Sequence, residues 1–234
     1  MLRIRWVFVG ALCSLILGVA CALPKPSSPT PDPKQNIPDV DRGRDALAAA
    51  WREYDASRYV IALTRADSLF FSWRNQASVT SLADSALWLA GRSLEAQGLL
   101  GAAVDRYEEL TRRVSEGSFR DQVLEHWIQV LGDTGREFEA VKRSLENPGV
   151  LSRNHLDTFR RWVSTLSKEQ LQLVLSTAPL ETLAATVVSV YLAELLVVTG
   201  NTEEAKRIVS EVLERSPPGP ERERAESLIS VVED

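Results

Sequence analysis

The chain has 234 residues, 27 of them Lys or Arg and 32 Asp or Glu, for a net charge of −5. Hydrophobic residues make up 44% and charged residues 25%, ordinary globular values that exclude a wholly disordered or collagen-like chain. The acidic balance offers no basic face for nucleic acid, and two histidines, two cysteines and one methionine leave little from which to build a metal or thiol site.

Residues 1–20 read as a leader. Arg3 and Arg5 supply a basic start, and the run from Trp6 to Ala20 carries no charge. A membrane-spanning helix needs about 20 apolar residues, so this shorter run fits the h-region of a secretory signal. Two cleavage sites are legible. Ala20-Cys21-Ala22 has the A-x-A form that releases a soluble periplasmic protein, whereas Leu17-Gly18-Val19-Ala20-Cys21 puts a small residue just before a cysteine. The second segment resembles a bacterial lipobox, which implies that Cys21 is lipidated and becomes the first mature residue. Cysteine arithmetic favours that reading: Cys13 leaves with the leader, so the mature chain keeps Cys21 without a disulfide partner. With Ala22 next to it, the resemblance implies sorting to the periplasmic face of the outer membrane.

Residues 21–42 form a tether. Pro24, Pro26, Pro29, Pro31, Pro33 and Pro38 remove backbone donors and bias their predecessors away from helix. As polyproline II, at about 3.1 Å per residue, the segment reaches roughly 60 Å.

From 43 to 234 the pattern is helical throughout, with about ten helices and no convincing alternating strand. Ser167-Lys168-Glu169-Gln170 has capping-box form, and Asn201 followed by Glu203 and Glu204 places acid in a first turn. A repeated register is visible. Leu87, Ala90, Gly91 and Leu94 lead to a turn at Gly98, then to Ala103 and Tyr107. Leu124, Trp127, Ile128 and Leu131 lead to Gly135 and Ala140. Tyr191, Ala193 and Leu196 lead to Gly200, Ala205, Val209 and Pro217. A looser copy runs from Ala46, Ala49 and Ala50 through Ser57 to Ala62 and Ala66. Glycine in the turn permits the left-handed conformation that ends a helix, and alanine lets two helices approach to about 8–10 Å. One hairpin cannot bury its own face, so the hairpins must stack.

These residues resemble the tetratricopeptide repeat (TPR) family across residues 44–234, with Gly200 to Ala205 and Pro217 as the best copy. Residues 150–178 form a helical pair without the alanine signature, and 220–234 an end helix. The resemblance implies an all-α, right-handed superhelical array of antiparallel helix hairpins. Residues 166–229 are also similar to the helical region of penicillin-binding-protein-activator lipoproteins, and the lipid-anchored repeat array as a whole to BamD-like assembly lipoproteins. Both imply a scaffold or adaptor that binds protein partners in envelope assembly or peptidoglycan synthesis.

No nucleotide, zinc or nucleophile-elbow motif occurs, and His126 and His155 each lack a second histidine or cysteine nearby. Glu226-Ser227 resembles the Glu-Ser pair of lytic transglycosylases, which keeps a cell-wall hydrolase as the alternative, yet nothing beside it forms a cleft that could raise a carboxyl pKa. The runs Glu108-Glu109, Arg160-Arg161 and Glu221-Arg222-Glu223-Arg224 read as solvated faces with i,i+4 pairs. The expectation is a non-enzyme with no catalytic, cofactor or metal residues, whose repeat packing rests on Ala62, Gly91, Gly98, Ala103, Gly135, Ala140, Gly200 and Ala205. In TPR arrays the first helices of successive repeats line a groove. The resemblance places Trp88, Arg92, Glu125, Gln129, Val190 and Glu194 there, as the surface for a protein or peptide partner.

Overall fold

The computed structural model describes residues 40–232 apart from 116, 152–154, 177–180 and 217. The leader, Cys21, the proline tether up to residue 39, Pro179 and Pro217 therefore lie outside the described residues. Eleven α-helices and one 3₁₀ turn occur among the described residues, and no strand. They belong to one compact unit, Pro38–Asp234.

α1 (Val40–Asp55) and α2 (Tyr59–Trp73) form a first hairpin, and the 3₁₀ turn Ala77–Val79 leads to a second, α3 (Thr80–Ala96) and α4 (Leu100–Arg113). A third joins α5 (Ser118–Asp133) to α6 (Glu137–Glu146). A short pair follows, α7 (Leu156–Ser164) and α8 (Lys168–Leu175), then the hairpin of α9 (Leu183–Val198) and α10 (Thr202–Arg215), and finally α11 (Pro220–Val232). Apart from α7 and α8, successive helices pack on each other, and α1 also meets α3, α7 meets α9 and α9 meets α11. The architecture is the expected all-α, TPR-like array of antiparallel hairpins. Val40 is the first described residue and already belongs to α1.

Four turns share one geometry. Ser57, Gly98, Gly135 and Gly200 have φ of 58°, 74°, 77° and 78°. After each of them the next residue's N–H reaches back into the preceding helix: Arg58 donates to the Glu53 carbonyl, Leu99 to Leu94, Arg136 to Leu131 and Asn201 to Leu196, at 2.8–3.0 Å. With the shorter bond from the turn residue itself (Gly98 N–H to Glu95 O, 2.9 Å), this is the Schellman closure. The residues that follow the turns also cap the second helices. Ala62, Ala103, Ala140 and Ala205 donate to Arg58, Leu99, Arg136 and Asn201 at 3.0–3.1 Å, and all four alanines are fully buried.

Equivalent positions across each hairpin trade volume. Gly91 faces Tyr107 so closely that a Cβ there would lie 2.5 Å from the ring. In the same register the other hairpins carry Ala50 with Ala66, Ile128 with Ser144 and Ala193 with Val209, all buried. α4 (Ala103, Val104, Tyr107, Leu110) and α10 (Ala205, Ile208, Val209, Val212) each bury one stripe at helical spacing. Each fully buried Val or Leu in such a stripe contributes roughly 1.5–3 kcal/mol. Two apolar cores result, and Leu63 and Trp88 pack against both.

The short pair departs from the pattern. No left-handed residue joins α7 to α8; instead Ser167 accepts from the Gln170 N–H (3.3 Å) and the Gln170 side chain accepts from the Ser167 N–H (2.9 Å). This is the capping box legible in the sequence. α7 and α8 pack mainly on α6 and α9. Trp162 of α7 packs against α5 at Gly132, where a Cβ would fall 2.1 Å from the indole. None of the described helices is long and apolar enough to cross a membrane.

Candidate functional site

The odd-numbered helices carry the residues that the repeat register assigned to a groove. Trp88 and Arg92 of α3 enter a half-buried polar and aromatic cluster. The Trp88 ring stands edge-on to His126 of α5 (centroids 5.0 Å) and tilts against Tyr107 of α4 (5.3 Å). The Arg92 guanidinium lies 5.6 Å from the Trp88 ring and meets His126 Nε2, Tyr54 Oη and Glu95 Oε2, each at 3.4 Å. Tyr107 Oη donates to Glu95 Oε2 at 2.7 Å. Burial works to raise the Glu95 carboxyl, but contacts from His126 and Tyr107 and the Arg92 charge outweigh it and hold the group below its usual 4.5. Burial, and then the Glu95 carboxylate, push the Tyr107 phenol far above its usual 10.0.

The other assigned residues divide into bridging, local and buried positions. Glu125 of α5 receives His155 Nδ1, just before α7, at 2.9 Å. Gln129 stays on its own helix, 3.4 Å from Asp133. Glu194 of α9 is held by Arg224 of α11, whose Nη2 donates to both carboxylate oxygens at 2.7 and 2.8 Å. Val190 is 1% exposed and belongs to the core. The groove assignment is corrected at Val190. Val190 lines no open surface, and Trp88, Arg92, Glu125 and Glu194 bridge one odd helix to the next. The reason is reach: long side chains at these positions span the gap between neighbouring odd helices before they reach solvent.

Two charge runs are corrected as well. Glu221 is 3% exposed, bonded by Arg160 Nε (2.7 Å), Arg160 Nη2 and Arg224 Nη1 (3.2 Å). The Arg224 guanidinium also covers the Tyr191 ring at 4.6 Å. Burial alone would lower the Arg160 and Arg224 pKa values, and their carboxylate partners raise them instead. The carboxylate is buried because cations from α7 and α11 converge on it. Arg112 with Glu108 (3.9 Å) and Arg222 with Glu226 (3.2 Å) do keep i,i+4 pairs. Glu226 and Ser227 lie on the exposed side of α11. Among the described residues no group of three or more His, Cys, Asp and Glu side chains is placed to hold a metal ion.

One surface was missed by the sequence reading. Between α7 and α9 an open notch of about 260 Å³ is lined mainly by Val163, Leu166, Leu171, Tyr191, Leu195 and Val198, with Glu194 on its rim. Val198 is 83% exposed. The available signal was that α9 holds one charged residue, Glu194, and stays apolar all round, whereas a helix facing water on one side carries a polar face.

The hairpins, their left-handed turns and the buried alanines define a TPR-like helical repeat protein. No protein-family model matches the chain, and no curated protein matches it. Among solved structures it is similar to a Podosopora anserina putative kinesin light chain with nearly identical TPR-like repeats, at 15% identity and a TM-score of 0.40, over 75% of this chain and 95% of that one. It is similar also to a variant of that protein, at 15% identity and a TM-score of 0.39, over 73% of this chain and 92% of the other.

Proposed function

We propose that this chain is a lipid-anchored, non-catalytic scaffold of the bacterial cell envelope that binds a protein or peptide partner through its odd-numbered helices. Stacked helical repeats use such extended faces for binding. The observation that carries the reading is the notch between α7 and α9, where Tyr191, Leu195 and the exposed Val198 form an apolar patch without a covering element among the described residues. An apolar anchor side chain of the partner fills the notch, and Glu194 with Arg224 supplies the polar rim. The basic leader, Cys21 and the proline tether support placement at the outer membrane, in envelope assembly or peptidoglycan synthesis.

The test is Val198→Glu with Leu195→Ser in the full chain, read by crosslinking in the native envelope. Crosslinks disappear while circular dichroism stays helical; a folded double variant with undiminished crosslinks moves the partner site elsewhere. Mass spectrometry checks the address separately. It finds an acylated N-terminus at Cys21, and an unmodified terminus at Leu23 refutes lipidation.

A further inference from the structure

We propose that the outer face of α2 docks on an anionic lipid surface, that of the membrane to which Cys21 anchors the chain; the inference rests on the lipid-anchor reading above. α2 packs on α1 and α3 and buries Ala62, Ala66 and Phe70. On its other side Val60, Thr64, Ser68 and Phe71 follow one another at helical spacing, with Ile61 and Arg65 beside them. Val60 is 65% exposed, Phe71 52% and Ile61 44%. One helix thus holds three of the eight large apolar side chains that stand out most among the described residues, and such a cluster marks a contact surface. The hydroxyls between them are spent on the helix itself. Thr64 Oγ1 donates to the Val60 carbonyl and Ser72 Oγ to that of Ser68, both at 2.8 Å.

Charge selects the occupant. The exposed side of α2 carries Arg65 and ends at Arg74, whose guanidinium lies 5.1 Å from the Phe71 ring, and it carries no carboxylate. Asp67 is turned to Arg106 of α4 (3.1 Å), and the exposed acids of the hairpin, Asp41, Asp45 and Asp55, all belong to α1. Glu53 of α1 is shared by Arg58 and Arg65, so that trio keeps a net positive charge. The second helices of other hairpins differ: α4 exposes Asp105 beside Arg112, and α10 exposes Glu203 and Glu214 beside Lys206. Exposed apolar groups and arginines without an acid suit an anionic bilayer, where the apolar groups enter the acyl boundary and guanidinium groups meet phosphates. A second copy suits the face less, because a two-fold contact sets its arginines against their own copies.

The chain also delivers this face to the membrane. Residues 22–39 alone separate Cys21 from α1. The first turn of α1 lies against the last turn of α2, where a Cβ at Gly43 would fall 3.2 Å from the Trp73 ring. Phe71 and Arg74 therefore sit at the end of the hairpin to which the tether is joined, and a short link raises the local concentration of the surface it is fixed to. Docking through an even-numbered helix leaves the odd-helix face to a protein partner.

The experiment places the photocrosslinker p-benzoylphenylalanine at Phe71 of the full chain, held in vesicles of phosphatidylethanolamine and phosphatidylglycerol. After illumination, mass spectrometry finds lipid attached at position 71, and little when the crosslinker stands instead at Val231 of α11, which is as exposed (55%). Arg65→Gln with Arg74→Gln lowers the adduct about tenfold while circular dichroism stays helical, and vesicles of phosphatidylcholine lower it by a similar factor. Equal adducts at positions 71 and 231, a yield indifferent to phosphatidylglycerol, or crosslinking of position 71 into a second copy overturn the proposal. The same spectra read the N-terminus and so judge the anchor separately. If Cys21 carries no acyl chain, the anchor reading fails by itself, and vesicles are added to the chain in solution: a phosphatidylglycerol-dependent adduct at position 71 upholds the docking face, and its absence overturns it.

Discussion

Two arginines, on α3 and α11, sit in equivalent company and are held in different ways. Arg92 lies over Trp88 and beside Glu95, with every polar contact at 3.4 Å. Arg224 lies over Tyr191, donates to both Glu194 oxygens at 2.7 and 2.8 Å, and shares the buried Glu221 with Arg160. The difference lies in where the opposite charge comes from. Arg92 competes with His126 and Tyr107 for one carboxylate on its own helix. Arg224 of α11 meets Glu194 across on α9 as well as Glu221 on its own helix. The first arrangement shares one carboxylate among three neighbours, and the second clamps α7, α9 and α11 together.

Removing the clamp's central charge gives the largest effect. Glu221→Gln leaves two arginines facing each other around a buried amide and lowers unfolding free energy by about 3 kcal/mol, the low end for a broken buried pair because both arginines touch water. Arg92→Gln costs under about 1 kcal/mol, as for exposed pairs. Urea denaturation of both variants checks this, and equal losses break the comparison.

The next effect concerns a contact between odd helices that uses no charge. Gly132→Ala drives a methyl into Trp162, which must shift off α5, at a cost of about 1–3 kcal/mol. An unchanged thermal midpoint means that Trp162 does not rest on Gly132.

Tyr107→Phe sharpens the polar side of the Arg92 cluster. Loss of the O–H donor to the Glu95 carboxylate costs about 1–2 kcal/mol at pH 7. The folded-state carboxyl is depressed, so its contribution is complete above the ordinary value of 4.5 and disappears as pH falls through the lowered folded value. The gap between the two proteins therefore narrows in acid, measured by denaturation at both pH values. A constant gap separates Tyr107 from the carboxylate's ionisation.

The smallest change leaves both arginines alone. Ser57→Gly relieves the non-glycine left-handed turn and stabilises the first hairpin by about 0.5–1 kcal/mol, net of the added chain entropy. A lower thermal midpoint would show that the Ser57 side chain supplies a compensating contact.

The amino-acid sequence by itself determined what depends on a residue and its near neighbours. Gly98, Gly135 and Gly200 carry the left-handed turn in their own lack of a Cβ, Ala103, Ala140 and Ala205 follow at fixed distance, and Ser167 with Gln170 caps α8 through atoms three residues apart. Even Ser57 could be placed, because the register of the other turns pointed to it. Only the tertiary structure decided which side chains spend their polar groups between helices. Glu221 looked solvated in an alternating run, and its burial depends on Arg160, far away in the chain. Val190 and Trp88 occupy the same register position on different helices, yet one lies in the core and the other bridges two cores. Gly132 carries no turn signal, and its role exists because Trp162 arrives from α7. Turn geometry is a short-range property of the backbone, whereas burial and charge pairing are properties of whatever packs alongside.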